Sequence, residues 1–230
     1  MESTPVDTKW EDYEEDLQIC LKENRPKEEV IGIYERWHNY EKDMVDSVPN
    51  RPKVGAAAFL TQYGNKKKDM RILDAGAGTG LAAAELVKLG FTNIDALEPC
   101  ESLARQALEK NIYKNWYKTY MCKDRLPIDG GVYDVVYSLG AFGPGHARED
   151  SFEQLIRILK PGGQIMIVMA ARSLSHPYMV NFETRILELE KEGTLIYREK
   201  QIVQDYLSDP NKLRDGAILI LEKPMMKQIS

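Results

Sequence analysis

Residues 72–80 read Ile72-Leu73-Asp74-Ala75-Gly76-Ala77-Gly78-Thr79-Gly80, an apolar run that ends in three alternating glycines and is followed by the helix-forming stretch Leu81-Ala82-Ala83-Ala84-Glu85-Leu86. A short strand that breaks into glycines and re-forms as a helix is a strand–turn–helix unit. Glycine permits the tight turn and lets a ligand touch the backbone, because no Cβ intervenes. The first N–H groups of the helix then point outward, and the helix dipole favours an anion there. This reading sets the fold class, because a strand feeding a helix through a ligand-binding turn is the opening of a parallel α/β sheet.

The pattern downstream continues the alternation. Gly80–Gly90 reads as a helix with Gly90 placed as its C-terminal stop. Residues 92–98 (TNIDALE) read as a second strand and 100–111 as a second, amphipathic helix. Residues 116–122 (WYKTYMC) read as a third strand, and 129–140 as a turn and a fourth strand. Residues 148–163 predict a helix ended by Pro161-Gly162-Gly163, and 164–171 a fifth strand. A helix over 176–193, a strand-like 194–207 and a final strand over 216–223 complete the chain. Strands that alternate with helices of this length predict a doubly wound, mostly parallel seven-stranded sheet with helices on both faces.

Upstream of Met70 the pattern is helical throughout. Residues 11–21 (EDYEEDLQICL) have helical apolar spacing, and Pro26 starts a second helix over 26–46. Val30, Ile33, Tyr34 and Trp37 fall at i, i+3, i+4 and i+7 and form one face of it. Asn50-Arg51-Pro52 reads as a turn, and 53–63 as a third helix ended at Gly64 and Asn65. The chain is thus expected to divide into an N-terminal helical cap, 1–65, and an α/β core, 66–230.

Composition narrows the function classes. Of the 230 residues, 43% are hydrophobic and 29% charged, as in an ordinary globular protein. No apolar run approaches the roughly 20 residues that span a bilayer, and the acidic start has no apolar signal core. A cytoplasmic chain, with the nucleus as the alternative and no membrane partner, is expected. The net charge is −5, and residues 1–50 hold 14 acidic against 6 basic residues, so the acidity lies in the head. Only Lys66-Lys67-Lys68 forms a basic run, and it reads as a solvated loop. That is not the electrostatic footprint of a nucleic-acid partner. Cys20, Cys100 and Cys122 are scattered and form no Cys-x-x-Cys pair, and His38, His146 and His176 are dispersed. Neither a disulfide framework nor a metal site is expected.

Two further features select the ligand. Glu98 closes the second strand, 18 residues after Gly80, where a carboxylate can accept from both hydroxyls of a ribose. That suits any adenosine ligand. The dinucleotide pattern Gly-x-Gly-x-x-Gly is absent, since the third glycine comes one residue early and Asp74 stands two before the first. No Gly-Lys-Ser/Thr follows, which excludes the triphosphate loop.

The form Asp74-x-Gly76-x-Gly78-x-Gly80 resembles motif I of the class I S-adenosylmethionine methyltransferases, and Leu159-Lys160-Pro161-Gly162-Gly163 resembles the turn before strand five in its small-molecule members. The resemblance implies a Rossmann-like fold, S-adenosylmethionine as cofactor with S-adenosylhomocysteine as product, and a methyltransferase. A small-molecule acceptor is expected. A protein acceptor, or a non-catalytic S-adenosylmethionine-binding module, is the alternative.

A resemblance over nearly the whole chain is to the Williams–Beuren syndrome chromosome region methyltransferase-like proteins. It is carried by Tyr34-Glu-Arg-Trp37, 73–86, Gly140-Ala-Phe-Gly-Pro-Gly-His146 and the helix ending Glu190-Lys-Glu-Gly193. It implies that Tyr34 and Trp37 lie near the cofactor; spacing alone reads them instead as a helix-face aromatic pair in the core.

The cofactor-binding set expected from these readings is Tyr34, Trp37, Asp74, Gly76, Ala77, Gly78, Gly80, Glu98, Pro99, Cys122, Lys123 and Ser138. Cys122 stands where many relatives carry an adenine-reading Asp, so a backbone N–H near Lys123 is expected to meet the ring, with Asp124 as a replacement acceptor. The methyl acceptor belongs above the end of strand four, between Ser138 and His146. His146 is the candidate base, since its side chain titrates near neutrality; the alternative is that it packs or caps the next helix. His38 and Tyr137 are lesser candidates. Neither the acceptor nor the oligomeric state is written in the sequence.

Overall fold

A computed structural model describes residues 26–66, 69–143, 145–207 and 215–225. The helix expected over 11–21 with Cys20, Lys67 and Lys68 of the basic run, and Pro144 lie outside them.

Seven strands form one sheet: β1 (Ile72–Ala75), β2 (Ile94–Leu97), β3 (Trp116–Tyr117), β4 (Tyr133–Leu139), β5 (Leu159–Ala170), β6 (Ile196–Val203) and β7 (Gly216–Glu222). Their order is β3-β2-β1-β4-β5-β7-β6. The first five pair in parallel, and β7 runs antiparallel between β5 and β6. This is the mostly parallel, Rossmann-like sheet that the strand–helix alternation predicts. The order reverses between β1 and β4, and in open α/β sheets ligands bind outside the strand ends at that crevice.

Successive strand residues feed opposite faces. Leu73, Ala75, Val136, Ile165, Ile167, Leu219 and Leu221 join one buried cluster. Ile72, Val135, Tyr137, Met166, Val168, Ile218 and Ile220 join the other. Helices α6 (Phe152–Ile158) and α7 (Phe182–Lys191) cover the first face. Helices α3 (Arg51–Tyr63) and α4 (Leu81–Lys88) cover the second, where Phe59 of α3 packs edge-on against Phe91 and Tyr137. Helix α5 (Glu101–Glu109) buries Leu103, Ala104 and Ala107.

Several expected elements change shape. The single helix over 26–46 is two, α1 (Lys27–Arg36) and α2 (Tyr40–Ser47). Trp37 leaves the helical region at φ −82° and ψ 79°. The break buries its ring and lets Nε1 donate to Asp43 in α2 at 2.7 Å. The third strand keeps only Trp116 and Tyr117, after which the chain turns away from the sheet edge. The helix expected over 148–163 is a short 3-10 turn and α6, and Leu159 is already extended at ψ 143°. Residue 160 precedes a proline, which disfavours the helical region. The Lys160–Gly163 segment is therefore not a turn ahead of β5 but an irregularity within it. Leu159 pairs with Tyr133, and pairing resumes at Gln164 opposite Val135. Residues 177–179 form a separate 3-10 turn ahead of α7.

Candidate cofactor and acceptor site

The glycine loop leaves β1 with three positive φ angles: Gly76 at 81°, Gly78 at 53° and Gly80 at 86°. Each glycine answers a different neighbour. A Cβ on Gly76 would collide with the Ala141 methyl after β4, and one on Gly80 would press on the Tyr113 ring at 3.2 Å. A Cβ on Gly78 would meet nothing nearer than Tyr40 Cε1 at 4.0 Å, so that glycine keeps space open beside the loop.

An open cavity, about 700 Å³ with the solvent at its mouth included, lies over this loop. Glu98 lies in its floor, 7% exposed. Oε2 accepts from the Gly78 N–H at 2.8 Å and Oε1 from the Cys100 N–H at 2.9 Å, which fixes the carboxylate between loop and helix. Burial pushes its pKa up to about 7, against the lowering effect of the two N–H groups. Beneath it Asp74 is buried. Tyr113 Oη donates to Asp74 Oδ2 at 2.6 Å, and Oδ1 has no hydrogen-bond partner. Burial raises the Asp74 pKa to about 6.

The roof comes from α1 and α2. Val30, Tyr34 and Tyr40 line the cavity. Tyr34 Oη lies 2.6 Å from His146 Nε2, so the roof is tied to the loop after β4. A second tie fixes α1 to α5. Cys100, at the N-cap of α5, makes no side-chain cap. Glu35 supplies it from another helix, accepting from the Glu101 N–H at 2.6 Å and the Ser102 N–H at 3.1 Å. Burial works to raise the Glu35 pKa, but those N–H bonds outweigh it and hold the group below the ordinary carboxylate value. Its contribution is therefore full above the unfolded pKa and fades as pH falls through the folded one. Glu35→Ala is expected to cost about 1 kcal/mol at pH 7, as for a lost N-cap. In urea titrations the gap to the parent should narrow as pH falls below the ordinary carboxylate range; a gap that persists in acid would mean the loss is packing, not charge.

Of the expected binding residues, Tyr34, Gly76, Gly78, Glu98 and Pro99 line this cavity, and so does the candidate base His146. Ala77 faces an adjoining cavity. The others stand off its wall. Trp37 is buried behind Tyr34, stacked on it at 6.1 Å. Gly80 is the N-cap of α4. Ser138 is fully buried and donates to the Ala75 carbonyl at 2.9 Å, joining the ends of β4 and β1. Cys122 and Lys123 are displaced by the early exit of β3, which brings Tyr120 and Met121 to the wall instead. Asp124 turns outward to Lys27 at 3.4 Å. His38 is exposed, and Tyr137 lies in the core. Sequence reasoning missed Tyr40, Arg51, Leu103, Tyr120 and Met121 as cavity residues. Arg51 sits in a stretch that reads only as a turn, and nothing in its neighbours signals a cavity.

Among the described residues no group of His, Cys, Asp and Glu could hold a metal ion, and no helix is long and apolar enough to cross a membrane.

Comparison with known proteins bears on the fold and the family. Methyltransferase-like protein 27 of Homo sapiens is 26% identical over 164 residues, 71% of this chain and 66% of that protein, so the chain spans just under two thirds of its length. A complex of the Haloferax volcanii Trm112 methyltransferase activator with a methyltransferase superposes with a TM-score of 0.62, 18% identity, and coverage of 84% of this chain and 97% of that chain. An S-adenosylmethionine-dependent methyltransferase from Methanococcus maripaludis gives a TM-score of 0.58 at 16% identity, over 91% of this chain and 99% of that one. The family model of the methyltransferase domain matches residues 48–202. With well over half its length matched by that model, the chain belongs to the methyltransferase-domain family.

Proposed function

We propose that this protein transfers a methyl group from S-adenosylmethionine to a small molecule. The observation that carries the reading is Glu98. A buried carboxylate, held by two backbone N–H groups at the end of β2, faces a roofed cavity beside an open-backbone glycine. That donor set fits an adenosine. The free lone pairs of Glu98 would take the ribose hydroxyls. Leu103, Met121 and Pro99 would flank the base, with Tyr120 in the place expected of Cys122 and Lys123. Gly76 and Gly78 would let the amino-acid tail pass close to the backbone, and the unpaired Asp74 Oδ1 lies beneath that path.

S-adenosylmethionine supplies a methyl already activated by the sulfonium charge. The chain's own task is then alignment of an acceptor and exclusion of water. Tyr34, hydrogen-bonded to His146, closes the roof over the loop after β4. In this reading 1–65 is the cap and 66–230 the core, and helix α3, the last of the cap, packs Phe59 and Tyr63 onto the core's sheet. The roof of Val30, Tyr34 and Tyr40 over the cavity favours a small acceptor over a polypeptide segment.

The test is incubation with donor tritiated on the methyl, a metabolite extract and a protein extract. Label is expected in the small-molecule fraction. Label confined to a protein band would replace the small-molecule reading, and S-adenosylhomocysteine failing to bind in calorimetry would remove the cofactor.

A further inference from the structure

A second open cavity, about 1030 Å³ with the solvent at its mouth included, adjoins the first between α2, the start of α3 and α4. The two meet at Tyr40, Arg51, Gly76, Gly78 and Leu139. Its walls are apolar: Met44, Val48, Pro49 and Leu81 among them. Its charged groups are Arg51, Lys53, Lys88 and Glu85, and Glu85 pairs with Lys88 at 2.6 Å. The chamber therefore carries an excess of positive charge around an apolar body. It is lined by no histidine, and its one carboxylate is already paired.

We propose that this second chamber is the acceptor site, and that it takes an apolar small molecule bearing a carboxylate that becomes a methyl ester. The proposal rests on the methyl-transfer reading above. Three features combine in it. The chamber shares Gly76 and Gly78 with the first, so an acceptor there would come up beside the methionine half of the donor, whose sulfur carries the methyl, without displacing the adenosine. Arg51 and Lys53 complement an anion, while the aliphatic walls hold the remainder. An alcohol or amine acceptor would need a base to take its proton, and the chamber walls offer none. A carboxylate needs none. Its oxygen lone pair forms the new O–C bond, the C–S bond pair stays on sulfur as the neutral thioether, and no proton moves.

The experiment uses the full chain saturated with S-adenosylhomocysteine, whose binding is verified first by calorimetry. Anilinonaphthalene sulfonate, an aromatic anion, serves as fluorescent probe. It is expected to bind this complex and to be displaced by decanoate at least tenfold more readily than by decyltrimethylammonium. Ala84→Trp, which fills the chamber from α4, and Lys53→Glu, an exposed charge reversal, should each weaken the probe tenfold or more with S-adenosylhomocysteine affinity unchanged. In the tritium assay, label should leave the product as volatile methanol on mild alkali. If the probe fails to bind the saturated protein, or the two decyl compounds compete equally, or the product label resists alkali, the proposal is overturned. If S-adenosylhomocysteine itself does not bind, the fault lies with the methyltransferase reading beneath it.

Discussion

Gly76→Val is expected to abolish S-adenosylhomocysteine binding and to lower the melting temperature by roughly 10 °C. Two costs add. At φ 81° a β-branched residue is strained, by about 1–3 kcal/mol. The new Cβ also meets the Ala141 methyl, which is fixed by the turn after β4; overpacking of this kind costs about 1–3 kcal/mol. A total of about 4 kcal/mol is a large part of the stability of a typical domain, and in a chain of this size each kcal/mol moves the midpoint by roughly 2–4 °C. Gly78→Ala is the control. Its φ of 53° carries a penalty of about 1–2 kcal/mol, and its Cβ meets only Tyr40 at 4.0 Å. It should melt within about 5 °C of the parent yet bind at least tenfold more weakly, because the lost space lies beside the ligand path. Differential scanning calorimetry and isothermal titration on both proteins check this. A Gly76→Val protein that melts with the parent would refute the Ala141 contact, and a Gly78→Ala protein of parental affinity would refute the ligand path.

These contrasts mark where the sequence was legible. The strands could be read because each has one residue in two committed to each face, as Val135 and Val136 show. The glycine loop could be read because Gly76 and Gly80 need conformations that side chains rarely adopt. Position along a loop was less legible. Residues 118–124 have no periodicity to say which side chains face inward; the resemblance alone pointed to Cys122 and Lys123, and the cavity is lined by Tyr120 and Met121. The break at Trp37 was invisible because no glycine or proline marks it. It depends on burying one indole and satisfying its N–H with Asp43, which is a tertiary event. Ser138 lies at the expected strand end, but its hydroxyl is used by the Ala75 carbonyl. Arg51 joins two cavities only because α2, α3 and the end of β4 converge there.

Glu98→Gln is expected to weaken S-adenosylhomocysteine binding at pH 8 by roughly 10- to 100-fold, the loss of about 1–3 kcal/mol for a hydrogen bond to a charged group. The pH dependence separates this role from mere packing. Burial raises the Glu98 pKa from 4.5 to about 7 in the ligand-free protein. The folded state therefore holds its proton more tightly than the unfolded chain. Stability contributed by this group is present below pH 4.5 and is lost as pH rises towards 7. At about 1.4 kcal/mol per unit the loss is up to about 3 kcal/mol, an upper figure because Glu98 borders the open cavity, where water reaches it. The glutamine variant lacks this slope, so its urea-measured stability should gain on the parent between pH 4.5 and 7. Asp74, raised to about 6 by burial, remains in both proteins, but its charge also helps to raise Glu98, so part of the slope belongs to the pair. Ligand affinity should move the other way. Ribose hydroxyls are accepted best by the ionised form, so parental affinity should rise with pH up to about 7 and level off, while the variant's stays flat. Parallel affinity curves for the two proteins would mean that Glu98 only braces Gly78 and Cys100, and the ribose would have to be held elsewhere in the cavity.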